Sequence, residues 1–553
     1  MTSADGPESI WETIISVTAS GISTSCFVGS STGDSCENIS RKWGSFKDKC
    51  VRASWCIRSL RSACSLRAED LSRICAVVYA LQDACARCEL RVVLRGTDRH
   101  PALPRDVLLE STPCLVWRCG GPLGHATDGV GRRGVHHLLT HIDLFAGAGG
   151  LSTGLEMAGF SSLFANEISP SYAETLKNSH PGTEVETGDI REVDAGKIRR
   201  RLSLAKGELD LLAGGPPCQG FSINAPKRSL EDERNHLFKD YLRFAEEFSP
   251  KLILIENVPG MISFERGQTV QEILAALRSL GYHADVRVLF APHYGVPQAR
   301  WRTIILANRI GVEPLELFPI PKHFAEGRAN FTTTLFSRSV VLDLALVKAT
   351  ANRSFVTVGD AISDLPQIEN GGGDELCDYL TGPQSDFQER LRIAGSKVSN
   401  HQCARLGKVN LDRLKHIPPG GSWRDIPHDL LPKGMKRARR SDHTKRYGRL
   451  HPEQLGSTIL TKCDPHWGTY IHPNQDRVLS VREAARIQSF PDHVRFFGSL
   501  TEQYEQVGNA VPPLFACEIG LRLKESLGYR DEVIDNSGRQ NSPWMSSQLS
   551  LAV

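Results

Sequence analysis

Four residues of this chain have the types and settings for chemistry: Cys218, Glu256, Arg300 and Arg302. Cys218 follows Gly214, Gly215, Pro216 and Pro217, which end an apolar run at residues 209–213. The run reads as a buried strand, and the glycines and prolines turn the backbone out of the sheet. At the carboxyl end of a strand in an open α/β sheet, where ligands bind, such a thiol suits a nucleophile. The plainer alternative, a small buried cysteine filling a gap, is disfavoured by the restricted Pro-Pro before it and Gln219-Gly220 after it. Glu256 ends a second apolar run, residues 252–255, with no polar face, as a central parallel strand requires. Buried without a partner, its carboxyl would be pushed up and would hold a proton near neutral pH. Arg300 and Arg302 alternate around Trp301, which points both guanidinium groups to one side of a strand. That side is either a solvated edge or a pair of forks for a phosphate or a carbonyl oxygen.

The elements that must hold these residues read as alternating strands and helices. Residues 138–144 form a strand that runs into Phe145-Ala146-Gly147-Ala148-Gly149-Gly150, and Leu151, Leu155 and Ala158 then share one face of a helix. Strand, glycine turn and helix make the first βα unit of a Rossmann-like, nucleotide-binding sheet. A second strand ends in Asn166-Glu167, a carboxylate about 20 residues on, where such folds grip ribose hydroxyls. A third ends in Gly188-Asp189-Ile190. No Gly-Lys-Ser/Thr follows the glycines, and the strict dinucleotide spacing is absent, so an adenosine-type ligand without a pyrophosphate fits better. Residues 224–235 read as a polar loop able to close over a ligand, residues 238–248 and 271–280 as amphipathic helices, and residues 284–289 and 303–307 as further strands.

The 66 basic and 63 acidic residues nearly cancel, so any nucleic-acid surface must be local. One basic cluster exists, at Lys433, Lys436, Arg437, Arg439, Arg440, Lys445, Arg446 and Arg449. It is either a solvated face or a phosphate-binding surface. The chain has no run of 18 apolar residues and no signal-peptide pattern at its start, which predicts a soluble protein with no membrane partner. Ten of the 15 cysteines precede residue 140. Residues 1–137 therefore read as a Cys- and Arg-rich extension, either poorly ordered or translated from upstream of the true start, with a helix near residues 71–81. Its single Cys85-Ala-Arg-Cys88 lacks the second pair that a zinc site needs, and no metal is expected.

In order, Asp143-Leu-Phe-Ala-Gly-Ala-Gly-Gly, Asn166-Glu, Gly188-Asp-Ile, Gly214-Gly-Pro-Pro-Cys-Gln-Gly-Phe-Ser, Glu256-Asn-Val and Gln298-Ala-Arg-Trp-Arg resemble the DNA (cytosine-5)-methyltransferase family. Residues 481–491 and Gln506-Val-Gly-Asn-Ala-Val-Pro-Pro resemble its ninth and tenth motifs, and the likeness runs from about residue 140 to 525. It implies an α/β fold: an S-adenosylmethionine-dependent methyltransferase sheet (residues 138–325), a smaller, irregular target-recognition domain (326–475), a C-terminal return to the sheet (476–528) and a loose tail (529–553).

The resemblance also assigns roles. Cys218 would add to C6 of cytosine, Glu256 would hold and protonate N3, and Arg300 would hydrogen-bond O2 or support the loop, with Arg302 beside it. Phe145, Gly147, Gly149, Gly150 and Leu151 would surround S-adenosylmethionine. Glu167 would bind its ribose and Asp189 and Ile190 its adenine, Asn509 and Val511 would close the pocket, and Ile168 and Pro216 would also bind the cofactor. The implied setting is a monomer in the bacterial cytoplasm, at the nucleoid, acting on double-stranded DNA beside a cognate restriction endonuclease. A tRNA cytosine-5 methyltransferase and a catalytically silent DNA-bound regulator are the alternatives. The long segment after residue 330 and Gln219 after the cysteine favour DNA over tRNA, and the full set of polar residues argues against silence.

Overall fold

The computed structural model describes residues 11–19, 22–26, 89–96, 106–109, 138–217, 237–392, 397–442 and 445–529. The stretch 218–236, with Cys218 and the predicted closing loop, lies outside them, as do the predicted helix at 71–81, Cys85, Cys88 and the tail from 530 onward. The chain divides into two units, residues 1–131 and 132–553. In the first, Trp11–Ala19, Ile22–Cys26, Glu89–Gly96 and Asp106–Leu109 pair antiparallel with the first strand between the second and third. The β-branched residues of Trp11–Ala19 suit an extended backbone, so a sheet forms where periodicity predicts none.

The second unit is built on a seven-stranded sheet. Its strands are β1 (Leu139–Leu144), β2 (Phe160–Glu167), β3 (Glu184–Thr187), β4 (Leu211–Gly214), β5 (Leu252–Asn257), β6 (His283–Phe290) and β7 (Trp301–Asn308). Their spatial order is β6-β7-β5-β4-β1-β2-β3, and only β7 runs antiparallel to its neighbours. Helices α1 (Gly150–Met157), α2 (Pro170–Ser179), α3 (Ala195–Arg201), α4 (Leu237–Phe248) and α5 (Gln268–Ser279) connect the strands. Burial on both faces explains the apolar runs: Leu211, Leu212, Leu252, Ile253 and Leu254 are fully covered. The two faces feed separate clusters, one around Leu155, Leu254 and Phe515, the other around Ile253, Phe244 and Ile273.

The order of the parallel strands places the ends of β1 to β5 along one edge, with the chain reversing direction between β1 and β4. That crevice is where open α/β sheets bind ligands. Three later helices return to the sheet: α6 (Val481–Ile487), α7 (Leu500–Asn509) and α8 (Pro513–Ser526). α8 packs along α1 so closely that a Cβ on Gly154 would collide with the backbone around Pro513 and Cys517.

Between the two lie short paired strands and single-turn helices. Val358, Ile362, Phe387, Leu391 and Val398 join the main core beside α6, whereas Leu414, Ile417, Trp423, Ile426, Met435, Tyr447 and Ile471 form a small core of their own. Among the described residues no helix is long and apolar enough to cross a membrane.

Candidate active site

The carboxylate that ends β5 has a partner. Because β7 is antiparallel to β5, with Ile304 opposite Glu256, Arg302 starts its strand beside the end of β5. Its Nε lies 2.7 Å from Glu256 Oε1, and both side chains are largely buried. Burial lowers the affinity of the Arg302 guanidinium for its proton, and the Glu256 charge opposes that effect. The expectation of an unpartnered carboxyl is corrected by this pair: it assumed that nothing met Glu256, and a strand from 46 positions later in the chain supplies a cation.

The turn before Cys218 is fastened to the same spot. Asn257 Nδ2 donates to the Pro216 carbonyl at 3.0 Å, and a Cβ on Gly215 would stand 3.3 Å from Glu256 Oε2. Thr303 Oγ1 donates to the Val258 carbonyl at 3.2 Å, tying β7 to the segment after β5. Glu256, Arg302, Asn257 and the Gly215-Pro216 backbone thus form one constellation, and the chain leaves it directly for Cys218.

Arg300 has different company. It is 1% exposed and donates through Nη1 to the Ile459 carbonyl at 3.2 Å and through Nη2 to the carbonyls of Gly508 and Ala510 at 3.1 and 3.0 Å. The picture of two equivalent forks on one strand is therefore corrected. Arg300 falls between the two-residue strand Gln298–Ala299 and β7, where segments from far along the chain converge on it.

Around the glycine turn the backbone is unusual. Phe145 has φ +60°, a left-handed conformation that costs a non-glycine residue roughly 1–2 kcal/mol. Gly149 has φ +80° and caps α1, and a Cβ there would stand 2.6 Å from a Leu176 methyl and 2.8 Å from His180 Nε2. A Cβ on Gly150 would strike the Val511 carbonyl, so the segment after α7 packs against the turn. Leu151 is buried, and Asn509 is exposed at the end of α7.

At the end of β2, Glu167 accepts the Gly147 N–H at 2.8 Å and the Ser169 N–H at 2.8 Å. Burial pushes its carboxyl up, against the pull of those backbone donors. The next residue, Ile168, is 65% exposed although strongly apolar. At the end of β3, Ile190 is buried, while Asp189 lies against the Arg191 guanidinium and accepts its backbone N–H; those hydrogen bonds hold its carboxyl below the usual range.

Beneath the turn is a polar layer that the motifs do not reveal. Ser152 Oγ donates to Asp143 Oδ2 at 2.7 Å, and His180 Nδ1 meets Glu156 at 2.8 Å. Burial pushes the Asp143 carboxyl up to about 7. Asp143 opens the first of the motifs, but His180 carries no signal, because only folding brings α2 under Gly149.

In the region after residue 330, Lys433, Lys436, Arg437, Arg439, Arg440 and Lys445 are exposed. The Arg446 guanidinium lies 5.6 Å from the ring centre of Trp467, which is 63% exposed. Arg449 is different: it is buried and donates to the carbonyls of Leu414, Ile417, His472 and Gln475 and to Asp476. It leaves the candidate phosphate surface, since a guanidinium with all those acceptors is an internal brace. Among the described residues no group of three His, Cys, Asp or Glu side chains could hold a metal ion.

The C-5 cytosine-specific DNA methylase family model matches residues 139–525. The type II methyltransferase M.AgeI of Thalassovita gelatinovora is 34% identical over 440 residues, covering 70% of this chain and 99% of the relative. DNA (cytosine-5)-methyltransferase 1 of Mus musculus is 34% identical over 456 residues, and this chain spans 28% of its length. Among solved structures, a chain described as a prophage-encoded DNA modification methyltransferase (E. coli) covers 71% of this chain, and all of that chain is matched, with a TM-score of 0.53 at 24% identity, a likeness of fold. The chain belongs to the C-5 cytosine-specific DNA methylase family and is a DNA (cytosine-5)-methyltransferase.

Proposed function

We propose that this protein methylates C5 of cytosine within a specific duplex DNA sequence, using S-adenosylmethionine and a covalent bond between Cys218 and C6 of a base turned out of the helix. The observation that carries this reading is the Glu256–Arg302 pair, 2.7 Å apart, held against the turn that leads into Cys218.

Cytosine C5 is a weak nucleophile. A Cys218 thiolate forming a bond to C6 breaks the C5–C6 π bond and sends electron density onto N3 and O2. A proton passed from the Glu256 carboxyl to N3 neutralises it and leaves an enamine that is nucleophilic at C5, while Arg302 stabilises O2. Glu256 addresses N3, and Arg302 both orients Glu256 and reaches toward O2. This takes the O2 role from Arg300, which supports the surrounding loops. When bound, S-adenosylmethionine supplies a methyl group on a positively charged sulfur. After transfer, water takes the C5 proton, N3 returns its proton to Glu256, and departure of the Cys218 thiolate restores the aromatic ring. The ring face must be open to the thiol, so the base leaves the stack.

The turn at the sheet edge fits an adenosine-type methyl donor. A side chain at Gly147 would meet open space, Ile168 offers an uncovered apolar surface, and the Glu167 carboxylate beside it suits a ribose hydroxyl. Phe145, Gly149, Gly150 and Leu151 would form the floor, Asp189 and Ile190 the adenine end, and Pro216, Asn509 and Val511 the far wall. The exposed cations at 433–445 would meet phosphates, with Arg446 and Trp467 beside them. The name of the type II relative extends the reading to a restriction endonuclease of the same site.

Bisulfite sequencing of plasmid DNA from an expressing, otherwise unmethylated host tests target and chemistry together. We expect protected cytosines in one sequence context, and none with Cys218→Ala. Methylation retained in that variant would remove the covalent mechanism, and activity on tRNA with none on plasmid DNA would overturn the substrate.

A further inference from the structure

We infer that Arg300, with Gln298 and Thr458, is a positioning device that couples DNA engagement to the cofactor pocket; the inference rests on the cofactor reading above. Three separate segments meet at this point. The strand Gln298–Ala299 pairs in parallel with Gly456–Ser457, the exit of the recognition region. Thr458 Oγ1 donates to the Ala299 carbonyl at 2.6 Å, and the Ile459 N–H donates to Gln298 Oε1 at 3.1 Å. Gln298 Nε2 reaches the Ile487 carbonyl at the end of α6, and Gln488 Nε2 donates to the carbonyls of Val507 and Ala510.

Arg300 spans all of this. One arm of its guanidinium holds Ile459, in the recognition exit, and the other holds Gly508 and Ala510, in the loop that ends α7. That loop is the far wall of the cofactor turn: it carries Asn509, and Val511 lies so close to Gly150 that no Cβ fits between them. The recognition exit and the loop also touch directly, since a Cβ on Gly508 would stand 2.6 Å from the Thr461 nitrogen.

A fully buried guanidinium that donates to backbone carbonyls is an expensive way to fill space, because its charge is stripped of water. What it provides is geometry. The planar fork holds carbonyls 159, 208 and 210 positions away at once, in fixed directions that a single ammonium point charge does not impose. A shift of the recognition exit on DNA must move the Ile459 carbonyl, and through Arg300 the 508–510 carbonyls and the pocket wall. Arg302, two residues on, carries the Glu256 pair, so the same segment also reports to the reacting centre.

Coupling of this kind is reciprocal: DNA must tighten cofactor binding by the factor by which cofactor tightens DNA binding. The test is the affinity of the full chain for S-adenosylhomocysteine, by calorimetry, with and without saturating unmethylated plasmid DNA. We expect DNA to tighten binding in the unaltered protein by about tenfold, within the usual range for coupled sites. Arg300→Lys should bring that factor close to one, measured against the variant's own DNA-free affinity. Thr458→Val, which removes one hydrogen bond on the recognition side only, should lower the factor part of the way and keeps the inference testable if Arg300→Lys does not fold. Full coupling in both variants, or none in the unaltered protein despite binding of both ligands, would overturn the inference. Failure of the unaltered protein to bind S-adenosylhomocysteine at all would instead overturn the cofactor reading.

Discussion

Lys433, Lys436, Arg437, Arg439, Arg440 and Lys445 stand in water, whereas Arg477, Arg482 and Arg486, later in the same chain, are sealed in the core. The exposed group makes a few bonds to nearby carbonyls, such as Lys436 to Asp429 and Arg440 to Arg424. The sealed group is fully engaged. Arg477 clasps Glu483 through two bonds of 2.7 Å, Arg486 pairs with Asp492 and Asp364, and Arg482 donates to the Ser399, Pro491 and Val494 carbonyls. Burial alone would push the Glu483 carboxyl up, but Arg477 pulls it below the usual range. Cations of one kind thus hold α6 in place, while those of the other remain available to a polyanion. What separates them is the presence of fixed acceptors, which removes a charge from competition for phosphate.

Three measurements would break or sharpen this contrast. The largest effect is expected from Arg486→Leu, which takes the central cation from Asp492 and Asp364 and leaves them only Arg482 at 3.8 Å and Arg392 at 3.0 Å. A loss of roughly 3 kcal/mol of stability, the low end for breaking a buried pair, is expected in urea unfolding. Loss of less than about 1 kcal/mol would show that the network is incidental.

A pH effect comes next. His472 is buried 3.6 Å from Glu483, and burial pushes it down to about 4. The folded protein keeps the imidazole neutral, whereas the unfolded chain takes up a proton below about pH 6.5. This contribution is therefore intact above pH 6.5 and is lost as pH falls toward 4. Between pH 7 and pH 5, His472→Gln should lose about 2 kcal/mol less stability than the unaltered chain. Equal slopes for the two proteins would sink the assignment.

The smallest effect on stability belongs to the exposed group. Replacing Lys433, Arg437, Arg439 and Lys445 with Gln should change stability by no more than about 0.5 kcal/mol per site. The salt dependence of DNA binding should become shallower by about 0.9 in log–log slope for each phosphate that the protein no longer neutralises. An unchanged slope would mean that DNA lies elsewhere.

Much of the catalytic half was readable in the chain itself. Apolar runs marked the strands because a parallel sheet buries both faces, and glycines and prolines marked where those strands stop. β5 and α5, for example, fall at Leu252–Asn257 and Gln268–Ser279, close to the runs that predict them. The family, and with it the type of reaction, followed from the order of short motifs whose residues lie hundreds of positions apart.

Partnership was not readable, because spacing along a chain says nothing about which distant atoms come within 3 Å. The sequence sets Arg300, Arg302 and Arg449 on the same footing as possible anion-binding groups. Tertiary structure alone gives Arg302 to Glu256, gives Arg300 to three carbonyls contributed by the last hundred residues, and turns Arg449 inward onto its own small core. His180 and Gln298 were silent for the same reason. Side-chain chemistry is fixed by residue type, but whether a charge is a tool, a brace or a surface depends on the acceptors that folding carries to it.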